Sequence, residues 1–308
     1  MGAGDELIED AIEMVSKSQN EILFDKLMEY LEGDEEHDPK DPKYAFKLYL
    51  TFGKIEPAVR MALFIVQKEQ EDGNYTEAHG ILFNLLLEMT DKKVKVSYEL
   101  LQKMIIIHSY TIVNKLIKLD EHECAARMLN RVCANVSQFP RHAGTILTIA
   151  VKECVQTGLK ASAYTWAAQL CRPEYKNQIK EQHRRRIENT ARRPVREEPD
   201  EECTPCPFCS TPVPGSDLNC SNCLNNLPFC IATGRHMTLD KVARCPKCHS
   251  PAVEDVLRRM LEIDPKCPMC FVTLAPNEID TDIPNAKEFL REKIIDSTVK
   301  TDEDMKEK

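Results

Sequence analysis

Aromatic residues are scarce in this chain of 308 residues: Phe, Trp and Tyr together make up 6%, with a single Trp. Glycine is also sparse, at 10 residues, while 30% of the side chains are charged. That balance argues against a β-sandwich and for a charge-rich, mainly helical protein. No apolar run exceeds "MALFIV" at 61–66, well below the roughly 20 residues of a membrane span. The opening "MGAGDELIED" lacks the basic and apolar regions of a secretory signal, so a soluble, intracellular chain is expected. There is no Gly-rich phosphate loop, no Gly-x-Ser-x-Gly elbow and no His-Glu-x-x-His. The many carboxylates read as solvated helix faces, so neither a catalytic residue nor enzymatic activity is expected. A formal net charge of −9 argues against a general nucleic-acid binder, since phosphate binding calls for a positive surface.

Helical patterning fills the first two-thirds. A turn residue followed five positions later by Ala, then by apolar residues at +4 and +3, recurs four times. It reads Gly53…Ala58, Ala62, Ile65; Gly73…Ala78, Leu82, Leu85; Asp120…Ala125, Leu129, Val132; and Gly158…Ala163, Ala167, Leu170. The 4-then-3 spacing puts these side chains on one helical face. Ala admits a close neighbouring helix, and Gly suits a left-handed turn. Further helices are expected at "DELIEDAIEMVSK", "NEILFDKLMEYLE", "DPKYAFKLYLTF", "SYELLQKMIIIHSYTIVNKLIKL" and "RHAGTILTIAVKECVQT", with Pro42, Pro57, Pro140 and Pro173 at starts or ends. The fold class is therefore a TPR-like α-solenoid of antiparallel helix pairs over residues 1–193. The chain opens in an amphipathic helix after "MGAG" without a polar capping repeat, which reads as a piece of a longer protein.

Between Arg172 and Arg196 the chain turns basic, with Lys176, Lys180, Arg184, Arg185, Arg186, Arg192 and Arg193 between them, before "EEPDEE" at 197–202 reverses the sign. A patch for an acidic partner, a phosphoinositide headgroup or nucleic acid is one reading. The favoured one is a solvated final helix whose charges are screened by solvent or paired locally with Glu181 and Glu188. Pro194 and Pro199 break helix here, so residues 194–205 are expected to be a linker.

Cysteine is the residue in excess: 14 in all, of which ten fall between 203 and 270. Cys124, Cys133, Cys154 and Cys171 stand singly and read as buried small apolar residues. The rest include four Cys-x-x-Cys pairs: Cys206/Cys209, Cys220/Cys223, Cys245/Cys248 and Cys267/Cys270. Two intervening residues let both sulfurs of a pair reach one tetrahedral ion, and two pairs complete it. Two structural Zn2+ ions are expected in a zinc-ribbon-like module over 206–275, closed to substrate and supplying the stability that a small apolar core lacks. Sequential pairing closes each site locally; a cross-braced, RING-like pairing of alternate knuckles is the alternative. Cys203 offers a slipped first register. Cys230 and His236, in "LPFCIATGRHM", read as a packed thiol and a surface imidazole, with ligation of a further site as the alternative; His249 is expected on the knuckle surface. Residues 276–308 read as a terminal helix and a charged tail.

Helical pairs running into "RRP" and then "TPCPFC…CSNC…LPFCIATGRHM…CPKC…CPMC" resemble the propeller–helix–zinc subunits of intraflagellar transport complex A, with "MALFIVQKEQEDGNYTEAHGILF" and "CRPEY" as further specific stretches. The resemblance covers nearly the whole chain. It implies a longer parent with WD40 propellers, and a non-enzymatic scaffold for retrograde ciliary transport and for ciliary entry of membrane proteins. It also implies a place in the cytoplasm, the cilium and its base, with other complex A subunits (WD40/TPR and TPR) as partners. No nucleic acid is expected, and membrane contact only through cargo or adaptors. Cys203, as an extra thiol, departs from the pattern. The competing reading is a RING-like ubiquitin ligase module on a tethering-type solenoid.

Overall fold

The structure, a computed structural model, describes residues 3–33, 38–294 and 297–298. It is mainly helical, with packing between helices adjacent in sequence. Two compact units divide at Lys95/Val96. The first holds α1 (Ala3–Ser18), α2 (Glu21–Glu32), α3 (Pro42–Phe52), α4 (Ile55–Asp72) and α5 (Tyr75–Asp91). The second holds α6 (Tyr98–Lys118), α7 (His122–Cys133), α8 (Ala143–Gln156), α9 (Lys160–Leu170), α10 (Pro173–Lys176), α11 (Glu181–Ala191), α12 (Glu254–Ile263) and α13 (Ala286–Glu292). The "MGAG" start and the charged tail fall partly or wholly outside the described residues.

The fourfold turn pattern has a backbone cause. Gly53, Gly73, Asp120 and Gly158 adopt φ of +94°, +89°, +59° and +82°, and each is followed two residues later by the start of α4, α5, α7 or α9. A left-handed residue lets the chain reverse from one helix into the next. The Ala positions of the pattern, Ala58, Ala78, Ala125 and Ala163, are at most 1% exposed, because each neighbouring helix approaches to backbone distance. Local caps reinforce the starts: Asn20 accepts from the amides of Ile22 and Leu23, Asp41 from Lys43 and Ser97 from Leu100, while Pro42 fills the first position of α3, where no amide is needed.

In the first unit α1, α2 and α3 close over Ile8, Ile12, Phe24, Met28, Leu31 and Leu48, and α4 and α5 extend the stack. In the second, α6 to α9 pack in order and α11 covers α9. Asn130 on α7 ties three elements there: its Oδ1 accepts from Trp166 Nε1 at 2.7 Å and from Cys154 at 3.3 Å, and its Nδ2 donates to Ser162 at 2.9 Å. The cysteine-rich segment contributes two short antiparallel pairs, Cys203–Pro205 with Pro212–Pro214 and Val242–Arg244 with Pro251–Val253.

Overpacking tests the close approach. Ala58→Leu in the first unit and Ala125→Leu in the second are each expected to cost about 1–3 kcal/mol, read as a lower midpoint of thermal unfolding by circular dichroism. Unchanged melting would show that the helices are not in contact at these positions.

Candidate metal centres and their seat on the helices

Each Cys-x-x-Cys pair is held by one backbone device. The amide of the first cysteine donates to the carbonyl five residues on, and the amide four residues on donates back to the cysteine carbonyl. The bonds run Cys206→Thr211 at 2.9 Å and Ser210→Cys206 at 2.9 Å; Cys220→Asn225 at 3.1 Å and Leu224→Cys220 at 2.9 Å. Those of the other two are Cys245→Ser250 at 3.1 Å with His249→Cys245 at 2.9 Å, and Cys267→Val272 at 3.0 Å with Phe271→Cys267 at 3.0 Å. The residue four after the cysteine turns left-handed every time: Ser210, Leu224, His249 and Phe271 have φ of +64°, +57°, +54° and +57°. A ladder contact closes the neck of each loop, as between Asn219 and Asn226 or Lys266 and Thr273.

These knuckles gather their sulfurs into two groups, Cys206, Cys209, Cys220 and Cys223, and Cys245, Cys248, Cys267 and Cys270, with all sulfurs in a group within 4.8 Å of one another. Sγ–Sγ distances are 3.8 Å for Cys206/Cys223, 3.5 Å for Cys209/Cys220, 4.0 Å for Cys245/Cys270 and 3.9 Å for Cys248/Cys267. Zinc–sulfur bonds of about 2.3 Å set a tetrahedral edge of about 3.8 Å, so both groups fit the ion. The grouping follows chain order. Thiols this close resist ionising together: burial pushes Cys206 up to about 12, while hydrogen bonds from the Thr211 hydroxyl and amide bring Cys209 down to about 5. A divalent cation offsets that repulsion, and an all-thiolate set leaves no open position for chemistry.

Cys203 is exposed and lies in a strand beside Pro214, outside the first group. His249 is exposed. His236 is not a surface imidazole: it is 3% exposed, held by the Thr204 hydroxyl at 2.8 Å and the Asp217 carbonyl at 3.1 Å.

Cys230 begins a fifth knuckle. Its amide donates to Arg235 at 2.8 Å, Gly234 donates back at 2.8 Å, Gly234 is left-handed at φ +68°, and Phe229 and His236 close the neck. The second cysteine is replaced by Thr233, whose hydroxyl accepts from the Arg235 amide at 3.3 Å; that is the bond the Thr211 amide makes to Cys209 in the first knuckle. The Cys230 sulfur accepts from the Val253 amide at 3.2 Å. No third cysteine or histidine cluster forms here among the described residues.

Where the other knuckles offer sulfur, this one offers carbonyls to the helices. His108 on α6 donates from Nε2 to Ile231 O at 3.0 Å. Cys124 on α7, a neutral thiol pushed by burial up to about 12, donates to Thr233 O at 3.1 Å. Arg131 on α7 donates to Gly234 O at 3.1 Å, Ser216 O at 2.7 Å and the Ser109 hydroxyl at 2.9 Å. Burial lowers Arg131 to about 10, which leaves it charged at neutral pH. Ile231 and Ala232 are fully buried. A methyl group on Gly234 would stand 2.3 Å from Met128 Sδ and 3.3 Å from Ile112 Cδ1, so any side chain there forces Met128 to move.

Two further ties hold the module. Arg259 on α12 donates to Leu119 O at 2.8 Å, just past the end of α6, and to Glu121 at 2.7 Å, and Lys115 pairs with Asp264 at 2.9 Å. In the acidic connecting stretch, Glu198 accepts from the amides of Ala161 and Ser162 at 3.0 and 2.7 Å, capping α9, where a carboxylate also meets the positive end of the helix. Glu201, 7% exposed at its side chain, accepts from the Ser216 amide at 2.9 Å and faces Arg127 and Arg235, each at 3.8 Å.

Residues 228–275, from the fifth knuckle through the second sulfur group, match the protein-family profile described as "IFT121, second zinc finger domain". That match and the two cysteine clusters establish two structural zinc ions. Over 284 residues, 92% of the chain, it is 41% identical to WD repeat-containing protein 19 of Mus musculus and likewise to that of Homo sapiens. It is 36% identical over 261 residues, 84% of the chain, to WD repeat-containing protein dyf-2 of Caenorhabditis elegans. The chain spans only 21%, 21% and 19% of the length of these relatives.

The seat itself can be tested. Gly234→Val is expected to leave two zinc equivalents bound yet raise hydrogen exchange in both the 228–237 loop and α7; exchange rising in the loop alone would mean the loop does not brace the helix. His108 provides a pH dependence. Burial lowers it to about 4, whereas an unfolded histidine titrates near 6.5. The unfolded chain therefore binds the extra proton first, and stability is lost as pH falls from about 6.5 towards about 4. His108→Gln should remove part of that acid sensitivity while leaving the zinc-release midpoint in place.

Proposed function

Because the chain belongs to the WD repeat-containing protein 19 family, we propose that it is a non-enzymatic assembly region of an intraflagellar transport complex A subunit. In this reading it contributes protein–protein contacts to retrograde ciliary transport and to ciliary entry of membrane proteins. It works in the cytoplasm, at the ciliary base and in the cilium. Its partners are the other complex A subunits, and membranes are met only through cargo or adaptors. No helix among the described residues is long and apolar enough to cross a bilayer.

Residues 1–193 serve as the helical solenoid, 194–205 as the connecting segment, 206–275 as the zinc module and 276–308 as the terminal helix and tail. Cys206, Cys209, Cys220 and Cys223 hold one zinc ion, and Cys245, Cys248, Cys267 and Cys270 the other. Bound there, the ions supply folding free energy to the lobe. The observation that carries this reading is the seating of the metal-free knuckle on α6 and α7: a module braced on a solenoid presents a rigid face. The RING-like reading has less support, because grouping of the sulfurs in chain order lacks the cross-brace that shapes the groove for a conjugating enzyme.

Pull-down of sister complex A subunits on the purified chain is expected to succeed with metal and to fall about tenfold or more after chelation or with Cys267→Ser. Equal capture by the metal-free chain would overturn the zinc platform. Robust autoubiquitination lost with Cys267→Ser would establish the ligase instead.

A further inference from the structure

The basic stretch is solvated and pairs locally at one position, which leaves most of its charge open to solvent. Between 172 and 196, nine Lys and Arg stand against Glu174, Glu181 and Glu188, in a chain whose formal net charge is −9. Arg184 pairs with Glu181 at 3.3 Å. Arg185, Arg186 and Arg193 are exposed, and none of their guanidinium groups takes part in an ion pair or hydrogen bond among the described residues. Together with Gln182, Asn189 and Thr190 they line one shallow groove of about 450 Å3 along the outer side of α11. The first five, spaced i, i+3, i+4, i+7 and i+8, share one helical face, and Arg193 follows just past the end of α11. Ile187 points the other way and is buried, where α11 meets α9 and α8.

We propose that this outer face of α11 docks an acidic, Asp/Glu-rich segment of a partner protein. Three unneutralised guanidinium groups spread over eight residues, about 12 Å at the helical rise, fit an elongated anion, and each fork matches a carboxylate bidentately. Asn189 adds a neutral amide between them, while the Thr190 hydroxyl donates to the Arg186 carbonyl and the Gln182 amide nitrogen faces His183. A membrane fits less well, because the face carries no aliphatic or aromatic side chain to enter a bilayer. Single-stranded nucleic acid fits less well because no aromatic platform lies on the face. A free phosphate would need a built pocket, and this groove is open and lined from a single helix. The proposal goes beyond the zinc-platform reading and does not depend on it.

The test uses the full zinc-loaded chain and a fluorescein-labelled peptide of mixed Glu, Asp and Ser, followed by anisotropy. Arg185→Gln/Arg186→Gln/Arg193→Gln should weaken binding about tenfold or more, while Lys93→Gln/Lys95→Gln/Lys118→Gln, removing the same charge elsewhere, should change it less than about twofold. Binding by the wild-type chain should also fall steeply between about 50 and about 300 mM salt. Equal losses in the two triple variants would reduce the effect to net charge and sink the proposal. So would tighter binding, abolished by the same arginine changes, to phosphatidylcholine vesicles containing phosphatidylinositol bisphosphate or to an oligothymidylate. Zinc content and circular dichroism check folding; if the arginine triple misfolds, Arg186→Gln and Arg193→Gln taken singly carry the same comparison.

Discussion

Four sulfurs within a few ångströms repel once they ionise, and the carboxy-terminal part of the chain is arranged round that repulsion in two places. Each group is assembled from two turns whose conformation is fixed locally, by a pair of backbone hydrogen bonds and one left-handed residue. Each site is thus two locally fixed turns that one ion joins. The cost of closure is then small, since only about ten residues separate the first two turns and somewhat more the second two. Around the first sulfur group little else packs, only strands of three residues and the buried Val213 and Leu227, whereas the second lies beside α12 with Leu257, Met260 and Leu261 buried.

The same turn, used once without a second cysteine, solves a different problem. A tight loop exposes several carbonyls, and burying them unpaired is costly. Here α6 and α7 bring an imidazole, a thiol and a guanidinium to those carbonyls. The helices' own periodicity does not require these polar groups on an inner face; they are intelligible only as partners of the loop. Arg131 is the most telling, since burying a charge is tolerable only with full hydrogen bonding, and it has three oxygen acceptors from three segments. Glu198 and Glu201 act similarly from the connecting stretch, which is thereby tied down at two points.

Much of the helical part was legible because its signals are local. The Ala positions and left-handed turns follow from period and glycine placement, and the buried Ala58, Ala78, Ala125 and Ala163 are the reason that period exists. The sulfur groups were legible because Cys-x-x-Cys carries its geometry with it. The fifth knuckle was not, although "CIATG" holds a signal: Cys followed at +4 by Gly has the spacing of the left-handed residue in every metal turn. His108, Cys124 and Arg131 had no local mark at all, because their roles depend on a loop about a hundred residues further on. His236 was misread as surface for the same reason; its burial comes from Thr204 and Asp217 across the module. The basic run was legible as a solvated segment with local pairing, of which Arg184 with Glu181 is an instance; which arginines stay unpaired turns on side-chain direction, which sequence spacing alone leaves open.

Replacing a ligand thiol by Thr233 has a consequence for how the assembly would age. A knuckle without a metal has nothing for an oxidant or a scavenger of heavy ions to take, and its inner sulfur at Cys230 is fully enclosed. Under such stress the sulfur-clamped lobes would slacken first while this loop kept its grip on the helical stack. Damage would then loosen the lobe around a fixed pivot without casting it adrift, and on return of the ion the pieces would already be next to one another.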